Sequence, residues 1–139
     1  MTDDHNEYLK NWIFRANEDI SVIENLFKSD PELFASSICY HAQQAVEKFL
    51  KAYLVYKNID FPKTHDLDFL LSECKKIENE VFEIDLGSLT DFGVSIRYPD
   101  DFYLPDKEET RFYRNTALLV KNIVEDNVEI QFWFAFSII

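Results

Sequence analysis

The chain has 139 residues, enough for a single domain whose core needs neither disulfides nor a metal. Its 14 basic and 26 acidic residues give a formal net charge of −12, which argues against broad electrostatic binding to nucleic acid. With 47% hydrophobic residues, two glycines and four prolines, the composition excludes a disordered chain and favours long helices over many short strands.

The first two predicted helices occupy the N-terminal part of the chain. Apolar residues recur every three or four positions from His5 to Lys28, which predicts a helix. The sequence Ser29-Asp-Pro-Glu32 then offers an N-cap acceptor, a first-turn proline and a capping-box glutamate. We therefore expect a second helix from about Pro31 to Lys57.

A connection over residues 58–65 precedes the third and fourth predicted helices. Thr64 or Asp66 is expected to cap the third helix, whose apolar positions run from Leu67 to Ile77. The segment Leu86 to Arg97 predicts a fourth helix that two glycines weaken.

Pro99 ends the fourth predicted helix and begins a loop that continues to Asp106. Strong helix formers and periodic apolar residues from Lys107 to Val128 predict a fifth helix. The sequence as a whole predicts one all-α domain over residues 1–139, built as a five-helix up-and-down antiparallel bundle.

The C-terminal tail, residues 129–139, is too apolar to be left in water. We expect it to pack on the core or at a dimer interface, because it is far shorter than the roughly 20 residues that cross a bilayer. With only two cysteines, and no apolar leader before the polar start Thr2 to Glu7, a cytoplasmic location is expected.

The second predicted helix carries a polar stripe beside its core face. At helical pitch His41, Gln44, Lys48 and Lys51 fall within an arc of roughly 80°. These side chains suit a nucleotide phosphate or a partner contact. The alternatives are a hydrogen-bonded structural histidine and a solvated face that pairs with Glu47 at i, i+4 spacing.

Lys63 and His65 stand just before a predicted helix start, where backbone donors and two potentially cationic side chains suggest an anion site. His65 has a structural alternative, in which it holds the turn. A zinc site made from Cys39, His41, His65 and Cys74 is disfavoured, since the spacing fits no compact ligand pair. No metal and no cofactor are expected.

Arg97, Tyr98 and Asp100 fall where the fourth predicted helix ends and a proline turns the chain. Arg97 suits a ligand phosphate, or it pairs with Asp19 or Asp100 as a structural clamp.

Three stretches, Tyr40–Tyr53, Phe61–Leu67 and Arg97–Asp100, resemble the HEPN domain in their order and spacing, as does Arg15-Ala-x-x-Asp19. The resemblance covers about residues 10 to 128. It implies an antiparallel helical bundle, usually a homodimer. It also implies two functions seen in the family: nucleotide binding, and a toxin–antitoxin pair with a minimal nucleotidyltransferase encoded beside it.

A subset of the family consists of metal-independent ribonucleases, in which four to six residues stand between an arginine and the histidine that follows it. Here the corresponding positions after Arg97 are Phe102, Tyr103 and Leu104, and no histidine follows. Since tyrosine ordinarily titrates near pH 10, Tyr103 is a poor proton carrier at neutral pH. We therefore expect a protein without the usual ribonuclease activity.

The favoured hypothesis is a binding protein for a nucleotide, for a partner nucleotidyltransferase, or for both. A ribonuclease toxin that uses Arg97 with Tyr103, His41 or His65 is one alternative, and a purely structural dimerisation module is the other. The predicted ligand-binding residues are His41, Gln44, Lys48, Lys51, Lys63, His65 and Arg97, and the polar residues with predicted structural roles are Asp19, Asp66, Tyr98 and Asp100.

Overall fold

The computed structural model describes residues 2–93 and 103–129. The helices in these residues are α1 (Asp3–Ser29), α2 (Ala35–Tyr56), α3 (Leu67–Ile77), a 3-10 helix (Leu89–Gly93) and α4 (Lys107–Asn127). All regular structure in the described residues is helical. None of these helices combines the length and the apolar character that a membrane crossing requires.

Helix α2 lies at the centre of the fold. It packs against α1, α3, α4 and the 3-10 helix, so several of its sides are buried. Phe49, Leu50 and Tyr53 are fully buried on it. A helix covered on several sides carries apolar residues beyond a single stripe, which fits the apolar positions spread through Ala42–Val55.

Helices α1 and α2 run antiparallel. The His5 side chain at the start of α1 contacts the Val55 carbonyl near the end of α2, while Asp19 farther along α1 contacts Lys48. The five-residue connection between the helices allows this arrangement. One edge of α2 is therefore fixed against α1 along most of its length.

Helix α4 is tied to α1 by an ion pair with two hydrogen bonds. The Arg114 guanidinium donates to Glu24 Oε1 at 2.8 Å and to Glu24 Oε2 at 2.7 Å. It also lies 4.8 Å from the centre of the Phe27 ring. The bonds to Glu24 raise the pKa of Arg114, so this side chain stays cationic.

The prediction of a fourth helix over Leu86–Arg97 is wrong in the residues that the structure describes. Only Leu89–Gly93 is helical there, and it is a 3-10 helix. Residues 94–97 lie outside the described residues. The described part of the chain therefore contains four α-helices, where the sequence predicted five.

The reason for this difference lies just before the 3-10 helix. Phe82, Ile84 and Leu86 are buried, while Glu83 and Asp85 between them are exposed. This alternation is typical of an extended segment that packs one side on the core. Immediately afterwards the backbone of residue 87, a glycine, has φ of 54°, which turns the chain in a conformation that other residues rarely adopt.

The second helix also begins later than the predicted Pro31. The Asp30 carboxylate accepts a hydrogen bond from the Leu33 backbone N–H at 3.0 Å, and the Asp30 carbonyl accepts one from Phe34. These bonds close a separate turn, after which α2 starts at Ala35. Asp30 therefore stabilises this turn, and no side chain caps the start of α2.

Candidate functional site

Asp19 of α1 joins two residues of the predicted polar stripe. Its Oδ1 accepts a hydrogen bond from His41 Nδ1 at 2.8 Å, and its Oδ2 accepts one from Lys48 Nζ at 2.5 Å. Asp19 is buried, whereas the side chains of His41 and Lys48 are 29% and 21% exposed. His41 and Lys48 are two helical turns apart, so one carboxylate reaches both.

Glu47 is the centre of a second cluster on α2. Its Oε2 accepts a hydrogen bond from Lys51 Nζ at 3.1 Å, and its Oε1 accepts one from His65 Nδ1 at 2.8 Å. Gln43 donates to the same carboxylate at 3.4 Å. Glu47 is 4% exposed and Lys51 is 6% exposed, so this ion pair lies in the interior.

The Lys51 ammonium is enclosed by aromatic rings. It lies 5.4 Å from the centre of the Trp12 ring and 5.7 Å from that of Phe61. Cation–π attraction adds to the ion pair in such a place. Among the predicted binding residues that the structure describes, Lys51 is therefore the one inside the fold.

His41 and His65 are each held by a carboxylate. A carboxylate can only accept hydrogen bonds, so each bond is assigned with the histidine as donor. His41 Nδ1–H donates to Asp19, and His65 Nδ1–H donates to Glu47. Within the described residues, neither Nε2 atom makes a hydrogen bond. The His65 side chain is 76% exposed, so its Nε2 atom is presented to solvent.

Three residues not selected from the sequence support this region. Gln44 donates to Gln43 Oε1 at 2.6 Å, while Gln43 Nε2 donates to the His65 carbonyl at 3.2 Å. Thr90 also donates to that carbonyl, at 3.3 Å. Gly93 lies so close that a Cβ there would be 3.0 Å from Gln43 Nε2. Gln43 carries one signal in the sequence, because it lies four residues before Glu47, a spacing that places both on one helix face.

The start of α3 uses its own side chains as caps. Asp66 accepts hydrogen bonds from the backbone N–H groups two and three residues later, at 3.0 and 3.2 Å. Thr64 accepts one from the Asp66 N–H at 3.1 Å. Because these bonds occupy the backbone donors, the anion-binding prediction for this corner depends on the exposed side chains of Lys63 and His65.

The remaining site predictions concern the segment after the 3-10 helix. Arg97, Tyr98 and Asp100 lie outside the described residues. Tyr103 is described and half exposed, and its hydroxyl donates to Glu109. That hydrogen bond raises the pKa of Tyr103 to about 12, which makes this hydroxyl a still poorer proton carrier at neutral pH.

Both cysteines lie in the part of the chain that the structure describes. Cys39 and Cys74 are free and buried, and burial raises the pKa of each thiol to about 12. Residues 2–93 and 103–129 hold no group of three or more histidine, cysteine, aspartate or glutamate side chains placed to bind a metal ion.

Comparison with protein-family models identifies a family that matches most of the chain. The family model of the HEPN domain matches residues 9–127, which include α2, α4, both histidine–carboxylate pairs and most of α1. Comparison with curated proteins and with solved structures gave no significant match. The match covers well over half of the chain and agrees with the all-helical fold, and the chain therefore belongs to the HEPN domain family.

Proposed function

We propose that this HEPN protein is a binding protein that holds the phosphate of a nucleotide at the corner between α2 and α3. One observation carries the proposal: a buried ion pair positions an exposed imidazole. Glu47, 4% exposed, is paired with the buried Lys51 and also holds His65, whose side chain is 76% exposed.

Stability alone gives little reason for this arrangement. Removing an ion pair from water is costly, and the hydrogen bond to an exposed side chain returns little of that free energy. Binding sites, in contrast, commonly use buried groups to fix the orientation of an exposed one. The buried Glu47–Lys51 pair fixes the orientation of the exposed His65 imidazole in this way.

The local charge is suited to an anion in spite of the net charge of −12. Asp19, Glu47, Lys48 and Lys51 together sum to zero, so each histidine that becomes protonated adds one positive charge. A protonated His65 donates through Nε2–H to a phosphate oxygen. Exposed Lys63, two residues earlier, adds a mobile ammonium, while His41, Gln44 and Lys48 extend the same face of α2.

Titration with ATP, GTP, CTP and UTP by calorimetry tests this proposal. We expect one or more of them to bind the wild type, and His65→Ala and Lys63→Ala to weaken that binding about tenfold or more. Lys76→Ala is the matched control, since Lys76 is a 72% exposed lysine on α3. Failure of all four nucleotides to bind, or wild-type affinity in His65→Ala, would refute the proposal.

We propose that the protein also self-associates and forms a pair with a minimal nucleotidyltransferase. Phe112 and Leu119, seven residues apart on α4, are 40% and 47% exposed and share one helix face. An exposed apolar face of this kind suits contact with a second protein surface. The tail beyond residue 129 is a further candidate for this interface.

Light scattering during gel filtration tests self-association. We expect a dimer that Phe112→Ser with Leu119→Ser converts to a monomer, and a version ending at residue 129 shows whether the tail takes part. Co-purification with a nucleotidyltransferase encoded beside the gene tests the second partnership. A monomeric wild type would exclude the proposed dimer.

One observation favours a ribonuclease as a second candidate. The Nε2 atoms of His41 and His65 make no hydrogen bond within the described residues, and each ring is fixed by a carboxylate, as proton transfer requires. Cleavage of a structured RNA that is lost in His65→Ala and in Arg97→Ala would support this activity. The binding proposal expects no cleavage.

A further inference from the structure

A groove separate from the His65 corner lies where the start of α1 meets the end of α2. It has a volume of about 350 Å³. Its walls come from α1, from the last turn of α2 and from the connection that follows; they are His5, Tyr8, Val55 and Asn58–Phe61. The proposed phosphate site uses none of these residues.

The polar groups of the groove are mainly acceptors. The His5 Nε2–H donates to the Val55 carbonyl at 2.8 Å, so Nδ1 is the ring nitrogen that is left to face a ligand. The exposed Asp60 contributes a carboxylate, and Asn58 contributes an amide oxygen. The C-terminal end of α2 adds the partial negative charge of its carbonyl groups.

Two walls of the groove are aromatic, those formed by Tyr8 and Phe61. Tyr8 is 51% exposed, and its ring meets Trp12 edge-to-face at 6.0 Å. Trp12 in turn meets Phe61 edge-to-face at 6.3 Å. The Phe61 ring already lies 5.7 Å from the Lys51 ammonium, so this aromatic group accommodates a cation within the fold.

We propose that this groove binds an arginine side chain of a basic partner protein. A guanidinium group is planar, stacks on aromatic rings and donates two parallel hydrogen bonds to a carboxylate, so Tyr8, Phe61 and Asp60 match it together. The net charge of −12 attracts a basic partner over longer distances. The groove therefore provides an interaction site for a cationic surface, independent of phosphate binding.

Amide NMR on the ¹⁵N-labelled full chain tests this inference. The probe is a short capped peptide with one arginine, and the comparison peptide has citrulline, which keeps the shape but lacks the charge. We expect saturable shifts at His5, Tyr8 and residues 58–61 with the arginine peptide alone. Asp60→Asn should weaken this binding about three- to fivefold, as expected for an exposed charge pair.

Glu80→Gln is the matched control, because Glu80 is an exposed acid outside the groove, and it should bind the peptide as the wild type does. Tyr8→Ala should also weaken binding, since its ring forms one wall. Equal shifts with the citrulline peptide, shifts spread over the acidic surface, or wild-type affinity in Asp60→Asn would each overturn the inference. Nucleotide binding that persists in Asp60→Asn would show that the two sites are separate.

Discussion

Removal of the charge of Glu47 should be among the most destabilising polar substitutions in the protein. In Glu47→Gln the Lys51 ammonium stays 6% exposed but loses its counter-ion. Breaking a buried pair from one side costs about 3–5 kcal/mol. Because Trp12 and Phe61 still surround the ammonium, we expect a cost near the lower end, about 3 kcal/mol.

The complementary variant, Lys51→Met, should lower the free energy of unfolding by less. In Lys51→Met the Glu47 carboxylate keeps two hydrogen-bond donors, His65 at 2.8 Å and Gln43 at 3.4 Å. A domain of this size should lose about 10 °C in melting temperature for Glu47→Gln and clearly less for Lys51→Met. The double variant leaves no unpaired ammonium, so its cost should fall below the sum of the single costs by about 1–3 kcal/mol.

Urea unfolding of the four proteins measures these free energies. Glu73→Gln is the matched control, since Glu73 forms an ion pair with Lys76, whose side chain is 72% exposed, and its loss should cost about 0.5 kcal/mol or less. If Glu47→Gln costs no more than Glu73→Gln, or if the two single costs add within about 0.5 kcal/mol, the buried-pair argument fails.

Three further substitutions or conditions test the fold. Folding keeps the Cys39 and Cys74 thiols protonated up to about pH 12, so stability should be complete below pH 9 and fall between pH 9 and 12, which alkaline urea titrations measure. Asp66→Ala removes the N-cap of α3 and should cost about 1 kcal/mol in thermal unfolding. Gly87→Ala places a Cβ 3.2 Å from the Tyr113 hydroxyl at a positive φ, and should cost at least about 1 kcal/mol by urea unfolding.

Each of these expectations has its own control. Replacement of both cysteines by alanine should reduce the alkaline loss of stability, and an unchanged pH profile would show that the thiols are not responsible. Asp68→Ala changes another exposed aspartate in the first turn of α3 but leaves the N-cap in place, so it should cost less than Asp66→Ala. Gly87→Asn, which tolerates a positive φ better than alanine does, should be milder than Gly87→Ala.

Local sequence signals predicted α1, α3 and α4 well because each helix carries its own periodicity and caps. Predicted and observed ends agree for α3, from Leu67 to Ile77, and Asp66 is its N-cap. The prediction of a helix after α3 is wrong because Leu86, Leu89 and Phe92 fit a helical spacing although the chain there is not α-helical. The alternation of Phe82, Ile84 and Leu86 was the stronger signal.

The polar clusters could be predicted only in part. The pairing of Glu47 with Lys51 follows from i, i+4 spacing on one helix. The bond from His65 to Glu47 depends on how the chain returns after α2, and that path is not encoded in neighbouring residues. The same holds for Asp19, whose partners His41 and Lys48 come from the next helix.

The central position of α2 has a consequence for the folding pathway. Five residues connect α2 to α1, so these two helices can pair by extending from a short turn, whereas α4 reaches α2 only after a longer loop closes. We therefore expect the α1–α2 hairpin to be formed in the rate-limiting transition state and α4 to dock later. Stopped-flow measurements should show that Ile13→Val slows folding while Val124→Ala mainly speeds unfolding, and the opposite pattern would place α4 in the nucleus.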